Sequence, residues 1–113
     1  MKEIILYTEK ECVDCVELKE RLNSESIKFT NKDLMEESDD LTCKYPNKWE
    51  HTDLVRDYNL PQWVPTAVIK EGDKMKFVCS STTEYAIRNS KDGGDIYLAE
   101  NSELLFEKIK ELL

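Results

Sequence analysis

The chain has 113 residues, 40% of them hydrophobic and 35% charged, with a formal net charge of −8. That size and balance fit one globular domain spanning residues 1–113, with a modest core, and exclude a disordered polyelectrolyte. The acidic surplus disfavours nucleic acid or an anionic membrane as partner, because no Lys/Arg cluster offsets it. No apolar stretch approaches the roughly 20 residues that span a bilayer.

Ile4 to Tyr7 predict a short apolar strand, led in by polar Lys2 and Glu3. Cys12-Val13-Asp14-Cys15 follows, and then a helical pattern. Leu18 and Leu22 stand four apart and share a face with Cys15. Glu17 and Arg21 form an acid-first pair at the spacing that stabilises an outer helix face. Asn23-Ser24-Glu25-Ser26 ends the pattern, and Ile27 to Thr30 predict the next strand, completing a βαβ unit. The acidic run Glu36-Glu37-Ser38-Asp39-Asp40 reads as solvated. Asn47, after Pro46, is placed to cap a helix. Its apolar stripe, Trp49, Leu54, Val55 and Tyr58, is uneven and stops near Asn59-Leu60-Pro61. His51 is alone in a mostly polar turn and reads as a surface residue. No role is assigned to Tyr7 or Tyr85.

In Trp63-Val64-Pro65 the proline lacks an N–H for a strand ladder, which suits the entrance to a strand. Ala67 to Ile69 and Lys74 to Cys79 are that strand and its partner, turning at Glu71-Gly72-Asp73. Asp92-Gly93-Gly94 is a turn signal. Ile96-Tyr97-Leu98 fits either an extra edge strand or a packed loop. Asn101 or Ser102 caps a last helix with Leu105, Phe106, Ile109, Leu112 and Leu113 along its apolar side.

The chemistry lies in the two cysteines that the first strand delivers. Thiols three positions apart face each other across the first helical turn and can close a disulfide. The helix N-terminus favours a thiolate on the first of them, so Cys12 reads as the nucleophile and Cys15 as the resolving thiol. Lys10 adds positive charge nearby, while Asp14 opposes thiolate formation. The competing reading of Cys-x-x-Cys is a pair of metal ligands. Cys43 and Cys79 have no spacing that asks for a shared metal site, and Cys79, ending an apolar strand, reads as a packed thiol. A secreted disulfide framework is disfavoured, since Met1-Lys2-Glu3 does not open a signal peptide. The expectation is cytoplasmic.

Strand, Cys-x-x-Cys, helix, strand, helix, then Val64-Pro65 before a hairpin and a last helix: this order resembles the thioredoxin-fold superfamily, and within it the glutaredoxins. The likeness runs over nearly the whole chain apart from the segments around 36–46 and 81–100. It implies an α/β, thioredoxin-like fold with a central mixed sheet of about four strands flanked by helices. It also implies a cis bond before Pro65, which leaves the backbone of Val64 free to pair with an extended substrate. Trp63 reads either as the floor of that substrate groove or as a hydrophobic cap over the core, and Lys10 as a substrate-binding cation beside Cys12. Thiol–disulfide exchange follows from the resemblance, with glutathione as reductant and no tightly bound cofactor or metal. Disulfide-containing proteins such as ribonucleotide reductase would be the substrates. The chain departs from the family pattern in places. Val13-Asp14 stands where glutaredoxins commonly carry Pro-Tyr and thioredoxins Gly-Pro. Glu9 holds the usual basic position three before the first cysteine. Where the family's Gly-Gly pair helps hold glutathione, this chain reads Cys79-Ser80-Ser81-Thr82, with Gly93-Gly94-Asp95 later, so either an insertion displaces the pair or the clamp is altered. A thioredoxin-like protein recharged by a reductase protein, and a redox-inactive binding module of the same fold, are the alternatives.

Overall fold

The two faces of the first strand organise the molecule. In the computed structural model, which describes residues 2–81 and 96–113, β1 (Lys2–Thr8) lies inside a five-stranded sheet of order β2-β1-β3-β4-β5. Side chains alternate along a strand, so Ile4 and Leu6 enter one hydrophobic cluster and Ile5 and Tyr7 the other. Both faces of β1 are covered. That explains an unbroken apolar run where a half-exposed strand would alternate.

The sheet is mixed. β1 runs parallel to β2 (Thr30–Asp33) and antiparallel to β3 (Thr66–Glu71). β3 turns back into β4 (Lys74–Ser80) at Gly72, whose φ of 62° is the left-handed backbone that glycine adopts without steric cost. β5 (Ile96–Ala99) joins β4 in parallel, so Ile96-Tyr97-Leu98 is an edge strand and the sheet has five strands rather than about four. Asp92-Gly93-Gly94 and Tyr85 lie outside the described residues.

Among the described residues, three helices flank this sheet. On one face α1 (Val13–Ser24) brings Leu18 and Leu22, and α3 (Ser102–Leu112) brings Leu105, Phe106 and Ile109, into a shared cluster with Ile4, Leu6 and Val78. Asn101 caps α3, accepting the Leu104 N–H at 2.9 Å as its pattern predicted. Polar ties join the two helices. Ser102 Oγ donates to Glu17 at 2.6 Å, and the Arg21 guanidinium lies 4.5 Å over the Phe106 ring. Glu17 and Arg21 thus contact α3 and, contrary to the pattern, form no ion pair with each other. Lys2 Nζ donates to the Leu112 carbonyl at 2.8 Å, fixing the C-terminal end of α3 to the start of β1.

The opposite face carries α2 (Pro46–Tyr58) over Ile5, Tyr7, Val68 and Phe77. Pro46 takes a first-turn position, where its missing N–H costs nothing, and the N-cap residue, Tyr45, makes no side-chain capping bond. Asn47 is therefore inside the helix. Its amide instead donates to the Asp33 carbonyl at 3.0 Å, docking α2 onto the end of β2. The helix stops at Asn59 in left-handed geometry, φ 56°.

Two further expectations need correction. The second strand begins at Thr30, not Ile27. Ile27 and Phe29 pack against the edge of the first cluster, and the pairing with β1 starts at Ile5 opposite Thr30. His51 is buried, at 4% exposure, and is the one buried residue of α2. Its ring lies 5.4 Å from that of Tyr7 and its Nε2 is 3.0 Å from Thr66 Oγ1, so a polar neighbourhood in sequence became an internal contact. No helix among the described residues is long and apolar enough to cross a membrane.

Candidate redox site

The end of β1 sets the position of the first cysteine. Buried Thr8 donates to Asn31 Oδ1 at 2.7 Å, and the Cys12 N–H closes a turn onto the Glu9 carbonyl at 3.2 Å. Cys12 then takes an extended conformation (φ −83°, ψ 111°) as the N-cap of α1. Its carbonyl accepts the first intrahelical bond, from the Val16 N–H at 3.1 Å, and its Sγ accepts the Cys15 N–H at 3.1 Å. Sulfur here does what a capping oxygen does elsewhere, using a donor that the helix start leaves without a backbone partner.

Cys12 and Cys15 are joined by a disulfide across a Cα–Cα distance of 5.2 Å. The two sulfurs are not equivalent. Cys15 is fully buried with Leu18 behind it, while Cys12 is half-buried at the rim. Across the gap, the Cys12 Sγ lies 3.7 Å from the Val64 carbonyl oxygen. The Val64–Pro65 bond is cis, as the family likeness implied. Val64 is half-buried, Pro65 buried, and Trp63 exposed at 58%. The structure therefore brings Cys12, Cys15 and Val64 together, with Pro65 and Trp63 adjoining in the chain.

Lys10 occupies the turn before Cys12. It is exposed and makes no hydrogen bond or ion pair among the described residues. Asp14 lies in the first turn of α1, half-buried. Val13, between the cysteines, is 68% exposed, so with Trp63 it gives the rim two apolar side chains. A groove of about 620 Å³ runs beside Trp63, bounded by Val55, Arg56, Leu60 and Gln62.

The other two thiols are free. Cys79 is buried among Tyr7, Val68 and Phe77, and burial pushes its thiol up to about 12, which makes it unreactive at neutral pH. Cys43 is half-buried in the connection between β2 and α2. Among the described residues no group of three or more His, Cys, Asp or Glu side chains could hold a metal ion.

A polar network lies on the α2 face of the sheet, opposite the face that α1 covers. Tyr7 donates its hydroxyl to Glu50 Oε1, which also receives Lys32 Nζ at 2.6 Å. Burial raises the Tyr7 pKa, and the bond to Glu50 and the charge of that carboxylate raise it further. Burial also raises the Glu50 pKa, but hydrogen bonds from Lys32 and Tyr7 and the charges of Lys32 and Lys70 outweigh it, leaving Glu50 below its ordinary value. Burial alone lowers the pKa of His51. The adjacent residues Glu50 and His51 thus reach two different strands, β1 and β3, from one helix turn. Sequence reading missed this network. Thr66 follows Pro65 directly and marks the strand entrance, but nothing in the spacing pairs it with His51.

Comparison with protein-family models, curated protein sequences and solved structures finds no match.

Proposed function

We propose that this protein is a dithiol thiol–disulfide oxidoreductase of thioredoxin-like fold, of the glutaredoxin type. The observation that carries the reading is the asymmetric pair at the start of α1. Cys12 is half-buried, its sulfur accepts a helix N-terminal N–H, and Cys15 is closed off behind it. Such a donor favours the anionic form of a sulfur, which is the attacking species in thiol exchange.

The reaction runs on the reduced form. The Cys12 thiolate attacks one sulfur of a substrate disulfide. The S–S bond breaks, the other substrate sulfur leaves as a thiolate and takes a proton, and Cys12 is held in a mixed disulfide. Cys15, deprotonated, then attacks the Cys12 sulfur. The second substrate thiol leaves, and the Cys12–Cys15 bridge carries the two electrons' worth of oxidation. Two glutathione thiols return the protein to the dithiol form and leave as glutathione disulfide. The Val64 carbonyl beside Cys12, and the N–H of the same residue, offer an extended substrate a backbone partner. Disulfide-bearing proteins, ribonucleotide reductase included, are the substrate class that the family likeness implies, and a cytoplasmic setting goes with it.

The test is reduction of a disulfide-bearing peptide with glutathione and its reductase, run beside a thioredoxin reductase arm. Activity is expected with glutathione and is abolished in Cys12→Ser. Cys15→Ser accumulates a mixed disulfide on Cys12, read by intact mass. Activity retained in Cys12→Ser but lost in Cys15→Ser would reverse the assigned order. Turnover in the reductase-protein arm alone would move the protein to the thioredoxin class, and turnover in neither arm would leave the binding module.

A further inference from the structure

The three consecutive carbonyls of Trp63, Val64 and Pro65, just before β3, have different fates. The Trp63 carbonyl accepts the Thr66 hydroxyl at 2.9 Å, and the Pro65 carbonyl accepts the Ser80 N–H at 3.1 Å. Between them, the Val64 carbonyl is the one turned to the Cys12 Sγ. The orientation of Val64 thus depends on what holds its neighbours. Pro65 is held by the sheet itself. Trp63 is held by one rotatable side chain.

A threonine hydroxyl has a single hydrogen. Here it is given to the Trp63 carbonyl, so toward His51 the oxygen must act as acceptor. His51 Nε2, 3.0 Å away, must therefore carry the hydrogen. This fixes the Nε2–H tautomer and completes a directed chain: His51 Nε2–H to Thr66 Oγ1, Thr66 O–H to Trp63 O. Occupying the oxygen's acceptor side restricts rotation of the hydroxyl and keeps its hydrogen on Trp63. His51 is itself held. It packs against the Tyr7 ring, and its neighbour Glu50 is bound to Tyr7 and Lys32. Thr66 is fully buried between Tyr7 of β1 and Cys79 of β4 in the sheet register, so no water competes for the contact.

We propose that His51 is a positioning residue, which acts through Thr66 to hold the Trp63–Val64 backbone beside Cys12. The inference rests on the dithiol reading for its consequence in catalysis, but its structural content does not. By this account α2 sets the geometry of the substrate-facing loop without touching substrate.

The experiment uses the whole chain carrying Trp49→Phe, which leaves Trp63 as the sole tryptophan. Thr66→Val removes the hydroxyl at nearly constant shape, and His51→Phe keeps the ring against Tyr7 but removes the donor. Thr66→Ser and His51→Gln restore a hydroxyl and an N–H donor. Four quantities are read: Trp63 fluorescence anisotropy, KM and kcat for a disulfide-bearing peptide with dithiothreitol as electron donor, and the urea midpoint. Thr66→Val and His51→Phe are each expected to lower the anisotropy and to raise KM about fivefold, the scale of one net hydrogen bond, with kcat nearly unchanged. Both restoring variants should return anisotropy and KM toward the parent. If the two deletions lower the urea midpoint yet leave anisotropy and KM at parental values, the contact is only structural and the proposal is overturned. Should Thr66→Val not fold, the pair His51→Phe and His51→Gln decides alone. A parent protein that reduces no disulfide would end the dithiol reading, while the anisotropy series would still decide the relay.

Discussion

Asp14 stands in the first turn of α1 between the two cysteines, and its charge acts in two directions. It complements the helix N-terminus, a favourable interaction, but it also disfavours a thiolate on Cys12 at the same end. The second effect bears on redox poise. Asp14→Asn is expected to lower the pH midpoint for alkylation of Cys12 and to raise the reduction potential by about 5–20 mV, the range for one screened charge of up to ~1 kcal/mol. Measurement in low and high salt checks it, and an unchanged midpoint in both would remove Asp14 from the account. Residues of this kind are legible because their partners are local. Cys12 and Cys15 meet within one helical turn, so spacing alone predicts the meeting. His51 was opaque for the opposite reason. Its neighbours in sequence are polar, and its partner Thr66 sits fifteen residues away on a strand.

Helix α2 is the element whose docking depends most on ionisation. Only His51 is fully buried along it, with Leu54 and Val55 half-buried, so its attachment leans on Glu50 and His51 rather than on a wide apolar face. Both groups have folded-state pKa values below their ordinary ones, by different causes. A depressed value means that the unfolded chain binds the proton more readily, so stability is present above the unfolded pKa and lost as pH falls. The windows separate. His51 should cost stability as pH drops below about 6.5, and Glu50 only below about 4.3, the unfolded values of the two side chains. Urea midpoints across pH 7 to 3 should show two steps. His51→Phe should flatten the first and Glu50→Gln the second, and a single step untouched by either variant would show that α2 is held by other contacts. At this scale the sequence was readable where packing is amphipathic, as in α3 with Leu105, Phe106 and Ile109. It misled at β2, where Ile27 and Phe29 looked like strand but pack beside it, while the paired residues Thr30–Asp33 are polar. An edge strand is chosen by backbone pairing with β1, which side-chain pattern does not report.

Over the whole molecule the order of strands and helices was legible, because alternating apolar segments leave few ways to cover both sheet faces. The fifth strand is not decided by its sequence, since Ile96-Tyr97-Leu98 is too short to distinguish strand from loop by periodicity. Charge is the other property of this scale. A net charge of −8 surrounds a dithiol flanked in sequence by exposed Glu9 and Glu11, with Lys10 the one cation in the turn before Cys12. Glutathione is itself an anion at neutral pH, so its encounter with the Cys12–Cys15 bridge is opposed at long range, whereas a cationic disulfide peptide is drawn in. Salt shortens the reach of both effects, to about 8 Å at physiological ionic strength. Raising salt from 10 mM to 150 mM is therefore expected to speed reduction of the bridge by glutathione about two- to threefold and to slow reaction of the dithiol with a Lys/Arg-flanked disulfide peptide by a similar factor. Stopped-flow rates with the two reactants check this. Equal insensitivity to salt would mean that Lys10 neutralises the reacting rim locally, and the acidic surface would then serve solubility without choosing partners.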